Sequence, residues 1–164
     1  MRQHPNSVGD GPPPTDAAEL TIRRAVAADA PAVADVYLAA FKGTYDFPLA
    51  HTDQECRGWL AEVVVPQMET WVAEIGGRVV AMMVLDEAGI GHLYVDPPRQ
   101  RHGVGSRLVA LAKERRPDGL DLYTFQVNHR ARRFYERQGF VVVTLGDGSG
   151  NEEGQPDVSY RWQP

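Results

Sequence analysis

The pattern of apolar and polar positions along the chain predicts a mixed protein of short strands and helices. Two stretches repeat apolar residues at helical spacing, and each predicts a helix with one buried face. The repeats are Val33, Val36, Tyr37 and Ala40 in the first stretch, and Val104, Leu108, Leu111 and Ala112 in the second. Other stretches alternate apolar and polar residues, as half-buried strands do, and an example is Val158, Tyr160 and Trp162 near the chain's end.

Turn residues divide these stretches into the order β-α-α-β-β-β-α-β-α-β-β. The pair Gly76-Gly77 separates two strand-like runs and predicts a hairpin. A predicted helix connects strand Ile90–Val95 to strand 120–127, and such a β-α-β unit makes its two strands parallel. The hairpin-linked neighbours are antiparallel. The predicted fold is therefore of the α/β (α+β) class, with one mixed, mostly antiparallel sheet and helices on both faces.

Length and composition indicate one domain preceded by a separate segment. A chain of 164 residues is ordinary for a single domain. Residues 1–18 are rich in proline and glycine, with the run Pro12-Pro13-Pro14, and are predicted to form a flexible tail. Residues 19–164 are predicted to form the folded domain.

Charge and apolar run length exclude several classes of protein. The 17 basic and 22 acidic residues give a net charge of −5, which argues against nucleic-acid binding as a main role. The longest apolar run covers 79–85, far short of the roughly 20 residues that cross a bilayer, so no membrane partner is expected. Cys56 is the single cysteine, which excludes an internal disulfide, and no metal site is expected. No export signal is visible, so the cytoplasm is the expected location.

The segment 93–106 carries the most informative chemistry. Its strand ends at Pro97-Pro98, and Gly103 and Gly105 stand at the start of the next helix. Glycines there let a ligand approach the backbone, and the first amides of a helix bind anions. The positive charges nearby are Arg99, Arg101, His102 and Arg107. The segment therefore predicts a pyrophosphate site, although it matches neither a P-loop nor the G-x-G-x-x-G dinucleotide fingerprint.

Two motifs, in this order, resemble those of the GNAT superfamily of acetyl-CoA-dependent N-acetyltransferases. The run Gln100-Arg101-His102-Gly103-Val104-Gly105 is similar to the family's Q/R-x-x-G-x-G/A signature, and Leu93-Tyr94-Val95-Asp96-Pro97 is similar to its L-x-V-x-P strand end. The run 128–140 is similar to its N-x-x-A-x-x-F-Y-x-x-x-G-F segment. The resemblance spans about residues 20–162. It implies direct transfer of an acetyl group from acetyl-CoA to a primary amine. In the family, acetyl-CoA lies in the splay, which is the cleft where the two parallel strands diverge.

The resemblance also implies which residues hold acetyl-CoA. The pantetheine arm would pair with the main chain of Leu93 and Val95, and the amides of 100–106 would hold the pyrophosphate. Asn128 is expected to cap its helix and, by resemblance, to reach the pantetheine amide. The expected cofactor-binding residues are Leu93, Tyr94, Val95, Gln100, Arg101, His102, Gly103, Val104, Gly105, Ser106 and Asn128. The arginines at 130, 132, 133 and 137 are expected mainly on a solvated face, with Arg133 able to touch a cofactor phosphate.

Tyr135 occupies the position of the general acid that would protonate the leaving CoA thiolate. It shares one helix stripe with Asn128 and Ala131, which directs it toward the splay. In some members of the family, the base that takes a proton from the acceptor amine lies on the strand before the pyrophosphate-binding turn, which corresponds to residues 100–106 here. In this chain the matching positions are Gly89 and Gly91, which have no side chain to act as a base.

The identity of the base is open at this stage. His92 and Glu87 are the candidates, and Glu153, Asp157 or a chain of water molecules are alternatives. The acceptor pocket is expected from residues 41–51, the second helix and the loop 146–156. Acidic residues there could attract a cation or serve only as solvated loop charges: Asp46, Asp53, Glu152 and Glu153.

Two further questions remain open in the sequence. The first is function, because a non-catalytic acyl-CoA-binding regulatory module would keep the same cofactor motifs. The acceptor itself is equally open, since an aminoglycoside, a polyamine, an amino acid and a protein amine all fit. The second is assembly: a homodimer is expected, because Asp157–Trp162 is predicted to be a strand with a free edge, and edges invite pairing.

Overall fold

The computed structural model describes residues 19–164, so the tail predicted for 1–18 lies outside the described residues. Its first half is a four-stranded antiparallel sheet in the order β1-β2-β3-β4. The strands are β1 (Leu20–Arg24), β2 (Glu69–Ile75), β3 (Arg78–Leu85) and β4 (Ile90–Val95). The predicted hairpin turn joins β2 to β3 through Gly76 and Gly77, whose φ angles of 59° and 75° suit glycine.

The second half forms a separate three-stranded antiparallel sheet in the order β5-β7-β6. Its strands are β5 (Leu120–Phe125), β6 (Val141–Leu145) and β7 (Asp157–Trp162). The loop 146–156 returns the chain so that β7 pairs with both β5 and β6. The prediction of a free edge at β7 is therefore wrong, and β5 and β6 are the edge strands instead.

The described residues form five α-helices where four were predicted, because the predicted second helix consists of two α-helices and a π-helical turn. They are α1 (Ala30–Thr44), α2 (Asp53–Trp59), α3 (Val65–Gln67), α4 (Val104–Arg115) and α5 (His129–Arg137). A π-helical turn, Leu60–Val64, joins α2 to α3. Helix α2 starts with a capping box, in which Thr52 Oγ1 accepts from the Glu55 amide and Glu55 accepts from the Thr52 amide.

Apolar side chains of β3 point alternately into two cores, one on each face of the first sheet. On one face, Val84 and Met82 pack with Val33 of α1 and with Leu60. On the other face, Met83 and Leu85 belong to the core that includes α4, β5, β7 and part of α5. Because β3 is buried along nearly its whole length, it reads as a continuous apolar run in the sequence.

The two sheets meet at one parallel bridge between Gly89 and Asp121. The Asp121 amide donates to the Ala88 carbonyl oxygen at 2.9 Å. Among the described residues β4 and β5 form no further ladder, and a cleft opens between them. The predicted mixed α+β class with antiparallel sheets is confirmed. The predicted single sheet with a parallel strand pair is instead two sheets, with parallel pairing reduced to this bridge.

Candidate active site

A large cavity lies between the diverging strands β4 and β5. Its volume is about 1750 Å³, and α1, α2, the start of α4 and the whole length of α5 contribute to its walls. Its size and its position between two sheets are those of a substrate cleft rather than of a packing defect.

The edge of β4 that faces this cavity carries unpaired main-chain groups. The Asp96 amide donates to Val80 of β3 at 2.8 Å, and hydrogen-bonded pairs alternate along an antiparallel ladder. His92 and Tyr94 therefore bond to β3, whereas the amides and carbonyls of Leu93 and Val95 point toward β5. The Val95 carbonyl accepts from Gln100 Nε2 at 2.9 Å. The amide and the carbonyl of Leu93 and the amide of Val95 are therefore available to a ligand.

The facing edge of β5 is open in the same way. The Gln126 amide donates to Pro156 at 2.9 Å, in register with the β5–β7 ladder. The same alternation turns the main-chain groups of Tyr123 and the Phe125 amide toward the cavity, whereas the Phe125 carbonyl accepts from the Asn128 amide at 3.0 Å. A strand-like ligand can therefore lie between β4 and β5 and bond to backbone on either side.

Helix α4 presents its N-terminus at the far end of β4. Gly103 is its N-cap, with a φ of 83°, and no side chain caps the first turn. The first intrahelical bond runs from the Arg107 amide to Gly103. The amides of Val104, Gly105 and Ser106 therefore have no partner within the helix, and they form the start of an anion site.

Gly105 has a second constraint that the sequence did not reveal. A Cβ at this position would lie 3.3 Å from Cζ of Phe134, so α4 and α5 pack closely here. At Gly103 a Cβ would meet nothing within 4 Å, and the left-handed backbone is the reason for glycine. Arg101 also has a positive φ, 67°, which marks a sharp turn before the helix.

Arginines surround the same end of the cavity. The residues concerned are Arg99 and Arg101 before α4, and Arg130, Arg133 and Arg137 on α5. The three α5 arginines follow the i, i+3, i+7 spacing of one helix face, and this spacing was readable in the sequence. All three are exposed, as expected for a solvated face, and they also line the cavity. Arg132 faces away and donates to the Tyr160 hydroxyl at 3.2 Å.

Asn128 is the N-cap of α5, as predicted. Its Oδ1 accepts from the Ala131 amide at 3.0 Å, and its Nδ2 donates to the Tyr45 hydroxyl at 2.9 Å. Tyr45 follows α1 and packs in a cluster with Phe41, Phe47 and Phe125, at centroid distances of 4.8–5.3 Å. The hydrogen bond thus ties the end of α1 to the start of α5 across the cavity.

Tyr135 is buried, with 8% of its surface exposed, and it lines the cavity. Burial raises the pKa of its hydroxyl, and the nearby Tyr45 adds to this effect. Every fully buried side-chain nitrogen or oxygen in residues 19–164 has a hydrogen-bond partner. No hydrogen bond of the Tyr135 hydroxyl is found among these residues, and the Tyr135 side chain lines the cavity. A protonated hydroxyl beside the cleft is what a general acid requires.

The two candidate bases lie in different places. His92 of β4 is half-buried, lines the cavity and packs with Tyr37 and Trp59 at centroid distances of 6.2 and 5.4 Å. Burial lowers the pKa of His92, although the Asp86 carboxylate acts in the opposite direction. Glu87 is exposed in the β3–β4 turn and is not one of the cavity residues.

The end of the cavity beyond His92 is acidic. The loop 146–156 supplies Glu152 and Glu153, and α2 supplies Glu55. His51 lies between two of these carboxylates, with Nε2 3.0 Å from Glu152 and Nδ1 3.7 Å from Glu55. Asp157 also lines the cavity. Cys56 is buried, and burial raises its thiol pKa.

The structure gathers most of the residues singled out in the sequence. Around the cavity are Leu93, Tyr94, Val95, Gln100, Arg101, Gly103, Gly105, Ser106, Asn128, Tyr135 and His92. Val104 is buried in the core instead, and His102 is exposed outside the lining. The sequence reasoning did not single out Tyr37 and Trp59, because apolar periodicity presents them only as residues of the helix core.

Comparison with known proteins agrees with this architecture. The family model for an acetyltransferase (GNAT) domain matches residues 66–142. A peptidyl-lysine N-acetyltransferase of Escherichia coli, YiaC, is 26% identical over 123 residues, which are 74% of this chain and 84% of that protein. These matches support the predicted resemblance to the GNAT superfamily of acetyltransferases, and the prediction of an acyltransferase enzyme is confirmed.

Solved structures share the fold at lower sequence identity. Apo YjaB of Escherichia coli superposes with a TM-score of 0.74 at 23% identity, covering 88% of this chain and 97% of that one. The PaiA N-acetyltransferase of Thermoplasma acidophilum, solved with coenzyme A, gives 0.68 at 17% identity, covering 89% and 99%. Within residues 19–164, no helix is long and apolar enough to cross a membrane.

Proposed function

We propose that this protein transfers an acetyl group from acetyl-CoA directly to a primary amine. The observation that carries the proposal is the unpaired edge of β4 at Leu93 and Val95, which leads to the open N-terminus of α4. The coenzyme A in the PaiA structure of the same fold supports acetyl-CoA as the donor. The peptidyl-lysine named for the relative YiaC supports an amine as the acceptor.

The residues present fit such a donor from one end to the other. Pantetheine carries amide groups, and these can pair with the free main-chain groups of Leu93 and Val95. Its pyrophosphate matches the first amides of α4, and the arginines at 99, 101, 130, 133 and 137 supply the countercharge. Asn128 lines the same path and can offer its amide once the contact with Tyr45 rearranges.

The chemistry needs one base and one acid. The neutral amine nitrogen attacks the thioester carbonyl carbon, a C–N bond forms, and the C–S bond breaks with its electron pair leaving on sulfur. A base takes the proton that the nitrogen loses, and the Tyr135 hydroxyl gives a proton to the thiolate. Both groups then exchange protons with water, so the products are the N-acetyl amine and free CoA thiol.

His92 suits the role of base better than Glu87 does. Its side chain lies in the cavity, and because its pKa is lowered it is neutral, and able to accept a proton, at neutral pH. Glu87 is not one of the residues that line the cavity. Glu153 and Asp157 remain alternatives on the acidic side. A homodimer and a cytoplasmic location also remain predictions.

Thiol release tests the proposed function. The protein is incubated with acetyl-CoA and a panel of primary amines, and free CoA is followed with a thiol reagent while the acetylated amine is identified by mass spectrometry. We expect both products in equal amounts. Calorimetric titration with CoA accompanies the assay. Tight CoA binding without turnover of any amine would instead identify an acyl-CoA-binding regulatory module.

A further inference from the structure

We propose that Gln138 is a positioning residue of the donor site, an assignment that rests on the proposed function. Its side-chain amide holds the hydroxyl of Ser106, so that this hydroxyl donates its hydrogen to a donor phosphate at the N-terminus of α4. Gln138 is the C-cap of α5 and precedes Gly139. The N-x-x-A-x-x-F-Y-x-x-x-G-F segment specifies no residue type at this position, so the role belongs to a side chain particular to this protein.

One hydrogen bond joins α5 to α4 beside the open amides of α4. Nε2 of Gln138 donates to Oγ of Ser106 at 3.1 Å. Both side chains are half-buried and line the cavity. Ser106 belongs to the first turn of α4, where the amides of 104–106 have no partner within the helix. The contact therefore lies where the proposed function places the pyrophosphate.

The hydrogen bond from Gln138 determines what the Ser106 hydroxyl can still do. A serine hydroxyl has one hydrogen to donate and two lone pairs that accept. Because the Gln138 amide occupies one lone pair, the hydroxyl hydrogen points away from that amide. No acceptor for this hydrogen is found among residues 19–164. The hydroxyl therefore adds a fourth donor to the three open amides, and a phosphate oxygen is an acceptor that suits such a set.

Without Gln138 the same hydroxyl would have a competing partner. Serine hydroxyls in helices commonly donate to the carbonyl three or four residues earlier in the chain. For Ser106 these are the carbonyls of Gly103 and His102, and the Gly103 carbonyl already accepts from the Arg107 amide at 3.1 Å. A hydroxyl that turned back to this backbone would be lost to a ligand. The amide of Gln138 thus selects the orientation that can bind phosphate.

Gln138 is itself held in place at the junction of α4 and α5. Its carbonyl accepts from Nζ of Lys113 of α4 at 2.6 Å, and this ammonium group lies 4.9 Å from the ring centroid of Trp162. One turn earlier in α5, Phe134 packs against Gly105, where a Cβ would lie 3.3 Å from Cζ of Phe134. These two contacts fix the spacing of the helices, so the side-chain amide reaches the hydroxyl from a defined position.

A double-mutant cycle with CoA tests this assignment. Calorimetry measures the CoA affinity of the wild type, of Gln138→Met, of Ser106→Ala and of the variant with both changes. We expect each single change to weaken CoA binding roughly tenfold, the scale of one hydrogen bond to a charged group, and the double variant to bind little more weakly than either. Methionine keeps the length of glutamine and removes its donor. Gln163→Met is the matched control, because Gln163 is exposed and outside the cavity lining, and this variant should bind CoA as the wild type does.

A donor without phosphates distinguishes positioning from packing. The kcat/KM values for acetyl-CoA and for S-acetylpantetheine are compared, with an amine identified in the thiol-release assay. In Gln138→Met the value should fall roughly tenfold for acetyl-CoA and stay close to that of the wild type for S-acetylpantetheine, because the affected hydrogen bond needs a phosphate. Gln138→Glu is the second variant if methionine impairs folding. Its carboxylate accepts the hydrogen of Ser106, so CoA binding should weaken at least as much.

The outcomes separate the two proposals. If the wild type binds no CoA, the proposed function itself fails. If CoA binds and the folded Gln138 variants bind it as tightly as the wild type does, the inference fails while the proposed function stands. The inference also fails if the two single losses add in the double variant, or if S-acetylpantetheine loses as much as acetyl-CoA, since Gln138 would then act through the packing of α5. If CoA binds without turnover of any amine, the binding cycle alone decides.

Discussion

Gly89 lies directly against the backbone of Asp121, at the point where the two sheets touch. A Cβ on Gly89 would be 2.2 Å from the Asp121 carbonyl oxygen and 2.5 Å from its nitrogen. No other residue type fits there without separating the strands. This contact fixes the vertex from which β4 and β5 diverge, and the cleft opens beyond it.

Substitution of this glycine should therefore disrupt the fold locally. We expect Gly89→Ala to destabilise the protein by about 3 kcal/mol, because backbone atoms cannot move aside as a side chain could. Thermal unfolding followed by circular dichroism measures the effect. Gly58→Ala in α2 is the control: a Cβ there meets nothing within 4 Å, and alanine should stabilise the helix by roughly 0.5–1 kcal/mol. Equal melting temperatures for the two variants would contradict this account.

Tyr135→Phe tests the proposed role of Tyr135 as the general acid. The ring and its packing against Phe134 and Phe140 remain, while the hydroxyl is removed. We expect kcat to fall by ~10²–10⁴, with CoA affinity close to that of the wild type. Steady-state kinetics and calorimetry measure the two quantities. A folded variant with wild-type kcat, when chemistry limits the rate, would leave Tyr135 as a packing residue.

The lowered pKa of His92 gives a pH dependence with a defined sign. Because burial disfavours the protonated ring, folding stability should fall as pH drops below the unfolded value of about 6.5. A base must also be neutral, so kcat/KM should fall at lower pH than stability begins to fall, as the pH approaches the lowered pKa of the folded state. His92→Gln should flatten the acid dependence of stability and lower kcat at every pH. If the variant keeps both wild-type profiles, a different group is the base.

Substitution by alanine should weaken CoA binding at both glycines of the turn 100–106, Gly103 and Gly105, but for different reasons. Gly103→Ala has room for its Cβ but must hold a left-handed backbone, at a cost of roughly 1–2 kcal/mol. Gly105→Ala has ordinary dihedral angles but pushes on Phe134, so it should shift α5 relative to α4. We expect both variants to bind CoA more weakly by calorimetry. Unchanged affinity in both would remove this turn from the donor site.

If the protein forms the expected homodimer, β6 should form the interface between the two copies. This strand is one of the two edges of the second sheet, and its exposed apolar residues are Val141, Val142, Val143 and Leu145. Charged residues normally protect such an edge. Sedimentation velocity at micromolar concentration should show a dimer for the wild type and a monomer for Val143→Lys. A monomeric wild type would contradict the expected dimer.

The sequence was sufficient to predict the element order and the main motif positions. Apolar periodicity located α1 and α4, and the glycine pair at 76–77 located the β2–β3 turn, because these signals are local. The insertion of β7 between β5 and β6 was not predictable, since the alternation of Val158, Tyr160 and Trp162 defines a strand but not its neighbours. The single bridge between Gly89 and Asp121 was not predictable for the same reason, since alternation along a strand does not identify the strand's neighbour.

The site was predictable where its chemistry follows a local motif and not where it depends on contacts distant in sequence. The turn 100–106 and the cap at Asn128 are local features. The partnership of Asn128 with Tyr45 joins residues 83 positions apart, and no spacing rule predicts it. The opposite charges of the cavity ends likewise depend on how α2, α5 and the loop 146–156 come together.

Amide hydrogen exchange on β4 tests the central claim most directly. The account holds that acetyl-CoA lies against the main chain of Leu93 and Val95, while the Tyr94 amide is already bonded to β3. Exchange measured by NMR, with and without saturating CoA, should show marked slowing at Leu93 and Val95 and little change at Tyr94. Unchanged exchange at Leu93 and Val95, with CoA shown to be bound, would contradict the assignment of this cleft as the donor site.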